Sequence, residues 1–144
     1  DGSFFLNLIG GGPDEKKLVK RIASLNYKIT PFVNDPYELA KLYNSADAFI
    51  TCSKSDTYGI SVLEAQSCGL PVFAYRNTSF EELTLYKEFL AKDKYEMIEK
   101  LLSFKNNQTV ISRQNLHRFI SLNFSMEDSF NKLIKIYKQI VNKN

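Results

Sequence analysis

The chain has 144 residues, with a hydrophobic fraction of 44% and a charged fraction of 24%, the balance of a soluble globular protein able to bury a sizeable core. Its net charge of +3 is too small to imply nucleic-acid binding, and no apolar run reaches the roughly 18 residues of a membrane-spanning helix. His117 is the only histidine, which excludes a histidine-based metal cluster, and no metal is expected.

Phe4 to Ile9 reads as a central strand, with no signal peptide before it. Gly10-Gly11-Gly12-Pro13 follows, and a helix is predicted from Pro13, a favoured first helical position. Leu18, Ile22 and Leu25 mark its buried face, while Lys16, Lys17, Lys20 and Arg21 face water. The glycines let a ligand approach the backbone, but a plain tight turn accounts for them equally well. The dinucleotide pattern G-x-G-x-x-G is not met, because Glu15 stands where the third glycine would fall. Tyr27 to Val33 reads as the second strand. Asp35-Pro36-Tyr37-Glu38 has the form of a capping box, with Asp35 as cap and Glu38 reaching back. Leu39, Leu42 and Tyr43 form the inner face of the helix it opens.

Ala48 to Cys52 reads as a buried parallel strand, followed by a short polar loop that holds Asp56. Gly59 allows the close turn that opens a helix carrying Glu64. Gly69 is the expected helix stop, and Pro71 leads into a fourth strand, Val72 to Tyr75. Asp56 and Glu64 thus bracket a helix N-terminus at the C-terminal edge of a sheet, where open α/β sheets bind ligands. The free backbone N–H groups of Gly59, Ile60 and Ser61 and the positive end of the helix dipole suit a phosphate or sugar hydroxyls. Cys52 and Cys68 read as reduced core cysteines of a cytosolic protein.

Ser79-Phe80-Glu81-Glu82 looks like a second capping box, and Glu88 to Ala91 like an edge strand. Asp93 to Leu102 reads as a helix with Tyr95, Ile98, Leu101 and Leu102 inward. Lys105 to Thr109 is a polar linker, and Val110 to Leu122 another helix. Ser125 and Asp128 cap the last helix, whose Phe130, Leu133, Ile134, Tyr137 and Val141 recur at helical spacing and read as core packing. Lys132, Lys135 and Lys138 read as its solvated face. The alternation of strand and helix predicts an α/β doubly wound parallel sheet, Rossmann-like and flanked by helices.

The string Asp56 to Glu64, continued by Ala65-Gln66-Ser67-Cys68-Gly69-Leu70-Pro71-Val72, resembles the signature of the group 1 glycosyl transferases. These are retaining enzymes of the two-domain GT-B architecture that use nucleotide-sugar donors. The family's pattern is a Glu, seven residues, a second Glu, then a small-residue helix end, Gly, Pro and an apolar strand. Asp56 departs from it by one methylene. The resemblance spans roughly Phe5 to Leu83 and includes the strand that ends in Gly10-x-Gly12-Pro13.

The resemblance implies the donor-binding, C-terminal half of a GT-B enzyme. Residues 1–144 would be a single domain and a piece of a longer chain, without the first strand and helix of the donor half or the acceptor domain. It implies that Glu64 accepts from the ribose diol, that Asp56 holds hexose hydroxyls, and that these two are the catalytic pair. Gly10, Gly12, Val33, Gly59, Ile60, Ser61 and Glu64 would bind the nucleotide, Val33 from a loop against the base. The donor would be a UDP-, GDP- or ADP-sugar, and the acceptor a glycan or a lipid-linked one, as in polysaccharide biosynthesis. The expected location is cytoplasmic. Attachment at the inner membrane face is a weaker reading, since Glu127 and Asp128 dilute the lysines of the last helix. Asp56 keeps a non-catalytic binding module open, and a sugar-nucleotide epimerase of the same architecture is the third reading.

Overall fold

The computed structural model describes residues 4–76, 78–107 and 109–141. Its contacts group the chain into two compact units, Asp1–Leu42 and Tyr43–Asn144. The architecture is mixed α/β, with parallel strands flanked by helices, as expected.

In the first unit, β1 (Phe5–Ile9) pairs in parallel with β2 (Asn26–Thr30), Phe5 opposite Asn26 and Ile9 opposite Thr30. Gly10 extends the ladder with its N–H on Thr30 O at 2.9 Å and then turns at φ +108°. Helix α1 (Glu15–Ile22) starts two residues later than predicted. Gly12 O accepts from Glu15 N–H at 3.1 Å, so Pro13 and Asp14 form a turn ahead of the helix. Leu18 and Leu25 remain about two-fifths exposed, at 41% and 40%. A two-stranded sheet and one helix enclose too little volume to bury an apolar stripe.

Helix α2 (Pro36–Asn44) begins at Pro36 as expected. Asp35 Oδ1 accepts from the N–H groups of Tyr37 (2.8 Å) and Glu38 (3.4 Å). The reciprocal half of the box is not made, because the Glu38 carboxylate takes Lys41 Nζ at 2.6 Å. Leu39 and Leu42 are half-buried and Tyr43 is buried.

In the second unit, β3 (Phe49–Ile50), β4 (Val72–Tyr75) and β5 (Leu90–Ala91) form a parallel ladder in the order β3-β4-β5. All of β4 is buried, as a central parallel strand should be. The predicted strand over 48–52 shortens to β3, and Cys52 lies exposed rather than in the core. Between them, α3 (Ile60–Ser67) ends in a Schellman motif. Leu70 N–H reaches Ala65 O and Gly69 N–H reaches Gln66 O, both at 2.9 Å, with Gly69 at φ +78°. His117 Nδ1 lies 3.0 Å from Ser67 O, and since a carbonyl only accepts, the ring nitrogen carries the proton.

The core beside β4 is aromatic: Phe73 packs on Phe89 at 4.7 Å between centroids, and Phe104 meets both edge-on at 5.5 Å. Phe104 belongs to α5 (Lys94–Asn106). Met97, Leu101 and Phe104 face the core, whereas the predicted inward Tyr95 and Ile98 are exposed at 67% and 54%. The predicted linker over 105–109 begins inside this helix, and its Gln108 lies outside the described residues. In the short α4 (Phe80–Leu83) the Ser79 side chain makes no cap bond. Thr78 Oγ1 accepts Phe80 N–H at 3.2 Å instead. Helices α6 (Arg113–Asn123) and α7 (Met126–Val141) follow, capped by the hydroxyls of Ser112 and Ser125. The α7 stripe is not core: none of its residues is buried, and Phe130, Tyr137 and Val141 are 60–70% exposed.

The cap of α5 generates a prediction. Asp93 Oδ1 accepts from Glu96 and Tyr95 N–H groups at 2.9 Å, and these bonds, that of Glu96 first, hold its carboxyl below the usual range. Glu96 is likewise lowered, first by the Lys92 N–H and then by Lys100. Carboxyls with depressed folded pKa values contribute stability above their unfolded pKa and lose it as pH falls. The melting temperature should therefore drop between about pH 5 and pH 3. Asp93→Asn, which still caps but does not titrate, should flatten that drop. An identical acid limb in the variant would rule the cap out as its source.

Candidate functional site

The loop leaving β3 is folded by its acid. Asp56 Oδ1 accepts from Gly59 N–H at 2.7 Å and Tyr58 N–H at 3.1 Å, and its backbone carbonyl accepts Ser79 Oγ at 3.0 Å. Gly59 stands at φ +64°, where a side chain is strained. A Cβ there would lie 2.6 Å from the Phe80 ring, so α4 closes over the turn. The loop is therefore held by backbone geometry, by a carboxylate and by packing together.

This arrangement divides the α3 N-terminus. The Gly59 N–H is taken by Asp56, while the N–H groups of Val62 and Leu63 bond to Gly59 O. The amides of Ile60 and Ser61 have no partner among the described residues and remain open to an acceptor. Lys54 lies in the same loop, its Nζ 5.2 Å over the Tyr75 ring centroid.

Glu64 sits one turn into α3, half-buried. Its Oε2 accepts the Tyr43 hydroxyl at 3.0 Å. Burial first, then the Glu64 charge and this hydrogen bond, raise the Tyr43 phenol well above its ordinary range, so it stays a neutral donor. Burial, then the Glu64 charge, also raise the Cys68 thiol. Among the described residues no Lys or Arg forms an ion pair with Glu64.

The α3 helix is fixed from behind by Gln66, which is fully buried. Its Nε2 donates to Leu83 O at 2.7 Å and its Oε1 accepts Leu85 N–H at 3.0 Å. The sequence reading missed both Gln66 and Tyr43 as parts of this assembly. A buried glutamine has no periodic signature, and Tyr43 and Glu64, 21 positions apart, give no local signal of their contact.

Gly10, Gly12 and Val33 fall in the first unit. Gly10 is required by its backbone angle, whereas a Cβ on Gly12 would meet nothing within 4 Å. Gly10, Gly12, Leu8, Leu18 and Arg21 help line a cleft of about 680 Å³ within that unit. Val33 lies half-buried in the segment after β2. Among the described residues no group of three His, Cys, Asp or Glu side chains could hold a metal, and no helix is long and apolar enough to cross a membrane.

The sequence model of the family "Glycosyl transferases group 1" matches residues 1–121. The chain is 28% identical over 114 residues to a GDP-mannose-dependent alpha-(1-6)-phosphatidylinositol dimannoside mannosyltransferase of Mycobacterium tuberculosis, covering 78% of this chain and 29% of that protein. It is 41% identical over 68 residues to sulfoquinovosyl transferase SQD2 of Arabidopsis thaliana, covering 47% of this chain and 13% of that one. It thus spans under a third of the length of these relatives. A solved structure of the pneumococcal O-GlcNAc transferase GtfA, in complex with UDP and GlcNAc, shares the fold. Its TM-score is 0.70 at 16% identity, over 94% of this chain and 29% of that one.

Removing the Asp56 carboxylate should unfold the turn locally. Asp56→Ala is expected to cost about 0.5–2 kcal/mol in urea unfolding, the range for a lost helix cap. Asp56→Asn keeps an acceptor oxygen and should lose less than about 0.5 kcal/mol. Equal stability of Asp56→Ala and wild type would show that the turn does not depend on the side chain.

Proposed function

The chain belongs to the group 1 glycosyl transferases, and on that premise we propose that it binds a nucleotide sugar and supplies the donor side of hexosyl transfer. The observation that carries this reading is the division of charge along α3. Among the described residues, the amides of Ile60 and Ser61 at its positive end are open, and the carboxylate one turn further in has no cation partner. The first suits the diphosphate. Glu64, whose Oε1 has no partner among the described residues, suits the ribose diol.

Transfer breaks the bond between the anomeric carbon and the diphosphate oxygen, the acceptor hydroxyl oxygen bonds to that carbon, and the hydroxyl proton passes to the leaving diphosphate. Charge builds on the leaving diphosphate. The α3 N-terminus is placed to stabilise it, which is the larger part of such catalysis. Asp56 and Glu64 act by orienting the donor rather than by attacking it. Asp56 reaches the hexose through Oδ2, since Oδ1 is engaged in the turn. Retention of configuration, a UDP-, GDP- or ADP-sugar as donor, and a glycan or lipid-linked acceptor belong to this proposal. So does the contribution of Gly10, Gly12 and Val33 to the nucleotide site.

That same engaged oxygen favours a second reading, a nucleotide-sugar-binding module without turnover. The two differ in the effect of Asp56→Glu. A donor site should gain selectivity for nucleotide sugar over nucleoside diphosphate, while a module that uses Asp56 only in its turn should not.

Glu64→Gln should weaken nucleotide-sugar binding by roughly tenfold or more, the scale of a lost charge-assisted hydrogen bond. Its stability should stay within about 0.5 kcal/mol, because glutamine still accepts from Tyr43. Calorimetric titration with UDP-, GDP- and ADP-sugars, alongside a thermal melt, measures both. Unchanged affinity with a lowered melting temperature would make Glu64 structural. The 144-residue chain by itself should transfer no sugar, because an acceptor must be held opposite the donor. Release of glycosylated product from a mixed donor and acceptor panel, above donor hydrolysis, would contradict this.

A further inference from the structure

A carboxylate that is to receive a diol must present its free oxygen before the ligand arrives, or binding carries the cost of ordering it. Glu64 has several rotatable bonds, and nothing in its own helix fixes the head group. The group that does is Tyr43, in the last turn of α2. The residue is 7% exposed, and its ring meets Phe49 edge-on at 5.9 Å and 62°. A ring held by packing has one direction for its hydroxyl, and that direction ends on Glu64 Oε2 at 3.0 Å.

We infer that Tyr43 is the positioning residue of this site, holding Glu64 Oε2 so that Oε1 is presented to the ribose hydroxyls. The inference rests on the reading of Glu64 given above and goes beyond it in naming what sets its geometry. The chemistry of the partner matters. A lysine or arginine in this place would neutralise the carboxylate and leave an ion pair. A phenol donates one hydrogen bond and leaves the charge, and burial keeps it protonated. The retained charge repels phosphate and attracts hydroxyl donors. About 6 Å along the axis, the open amides at the start of α3 do the reverse. A nucleoside diphosphate can then lie along α3 in one direction only, its phosphates at Ile60 and Ser61 and its ribose at Glu64.

The test compares UDP, GDP and ADP with their 2′,3′-dideoxy counterparts, binding by calorimetry to the wild-type chain, Tyr43→Phe, Glu64→Gln and the double variant. The wild-type chain is expected to prefer a ribonucleotide over its dideoxy counterpart, and Glu64→Gln to erase that preference. Tyr43→Phe keeps the ring against Phe49. It is expected to cut the ribose preference about three- to tenfold and to leave dideoxy affinity unchanged. Added to Glu64→Gln, it should have no further effect. A structural role would weaken both nucleotide types alike, and that result, or a full preference retained in Tyr43→Phe, overturns the positioning role while the Glu64 reading stands. If Glu64→Gln itself keeps the preference, the reading of Glu64 fails and the role of Tyr43 fails with it.

Discussion

The turn from Asp56 to Gly59 is the constraint on which the second unit's site depends. A left-handed backbone at Gly59, φ +64°, redirects the chain from the sheet edge into α3. The Asp56 carboxylate closes the turn by taking the Gly59 amide. The Phe80 ring then occupies the space a side chain at Gly59 would need, 2.6 Å from its Cβ position. Each element forces the next. Without glycine the ring and the turn collide. Without the carboxylate, a buried glycine N–H would lack its partner.

Downstream, the same helix is locked at its far end by different means. The Schellman bonds at Ala65 and Gln66 stop it, and Gln66 ties it through two side-chain hydrogen bonds to the last residue of α4 and to the loop after it. A fully buried amide is costly unless satisfied, and here its bonds to the backbone specify one register between helix and loop. A helix fixed at both ends holds Glu64 at a set height, and the Tyr43 hydroxyl then sets the head group. Electrostatics follow from this rigidity, because partial charges of opposite sign separate only when neither end can rotate.

Apolar periodicity proved a sound guide to helices and an unsound guide to what covers them. The α7 stripe is regular, yet Phe130 and Tyr137 are 62% and 60% exposed. In α5 the buried face is set by Met97, Leu101 and Phe104, because the aromatic cluster around Phe73 lies on that side. Tyr95 and Ile98 have the right residue types at helical spacing, but they face away from the cluster. A pattern records that one side of a helix avoids water. It does not record which neighbour lies there.

The sequence by itself determined the order of strands and helices, the fold class, and the two acids around α3 with their glycine turn and helix stop. These are local properties: a glycine, a cap and an alternating apolar run act within a few residues of themselves. Only the tertiary structure decided that one Asp56 oxygen is engaged by Gly59, that the Ile60 and Ser61 amides are open among the described residues, and that Tyr43 and Gln66 belong with Glu64 and α3. Those facts join residues 17 to 21 positions apart, or depend on which of several donors reaches an oxygen first. Packing settles them, and packing is a property of the whole chain.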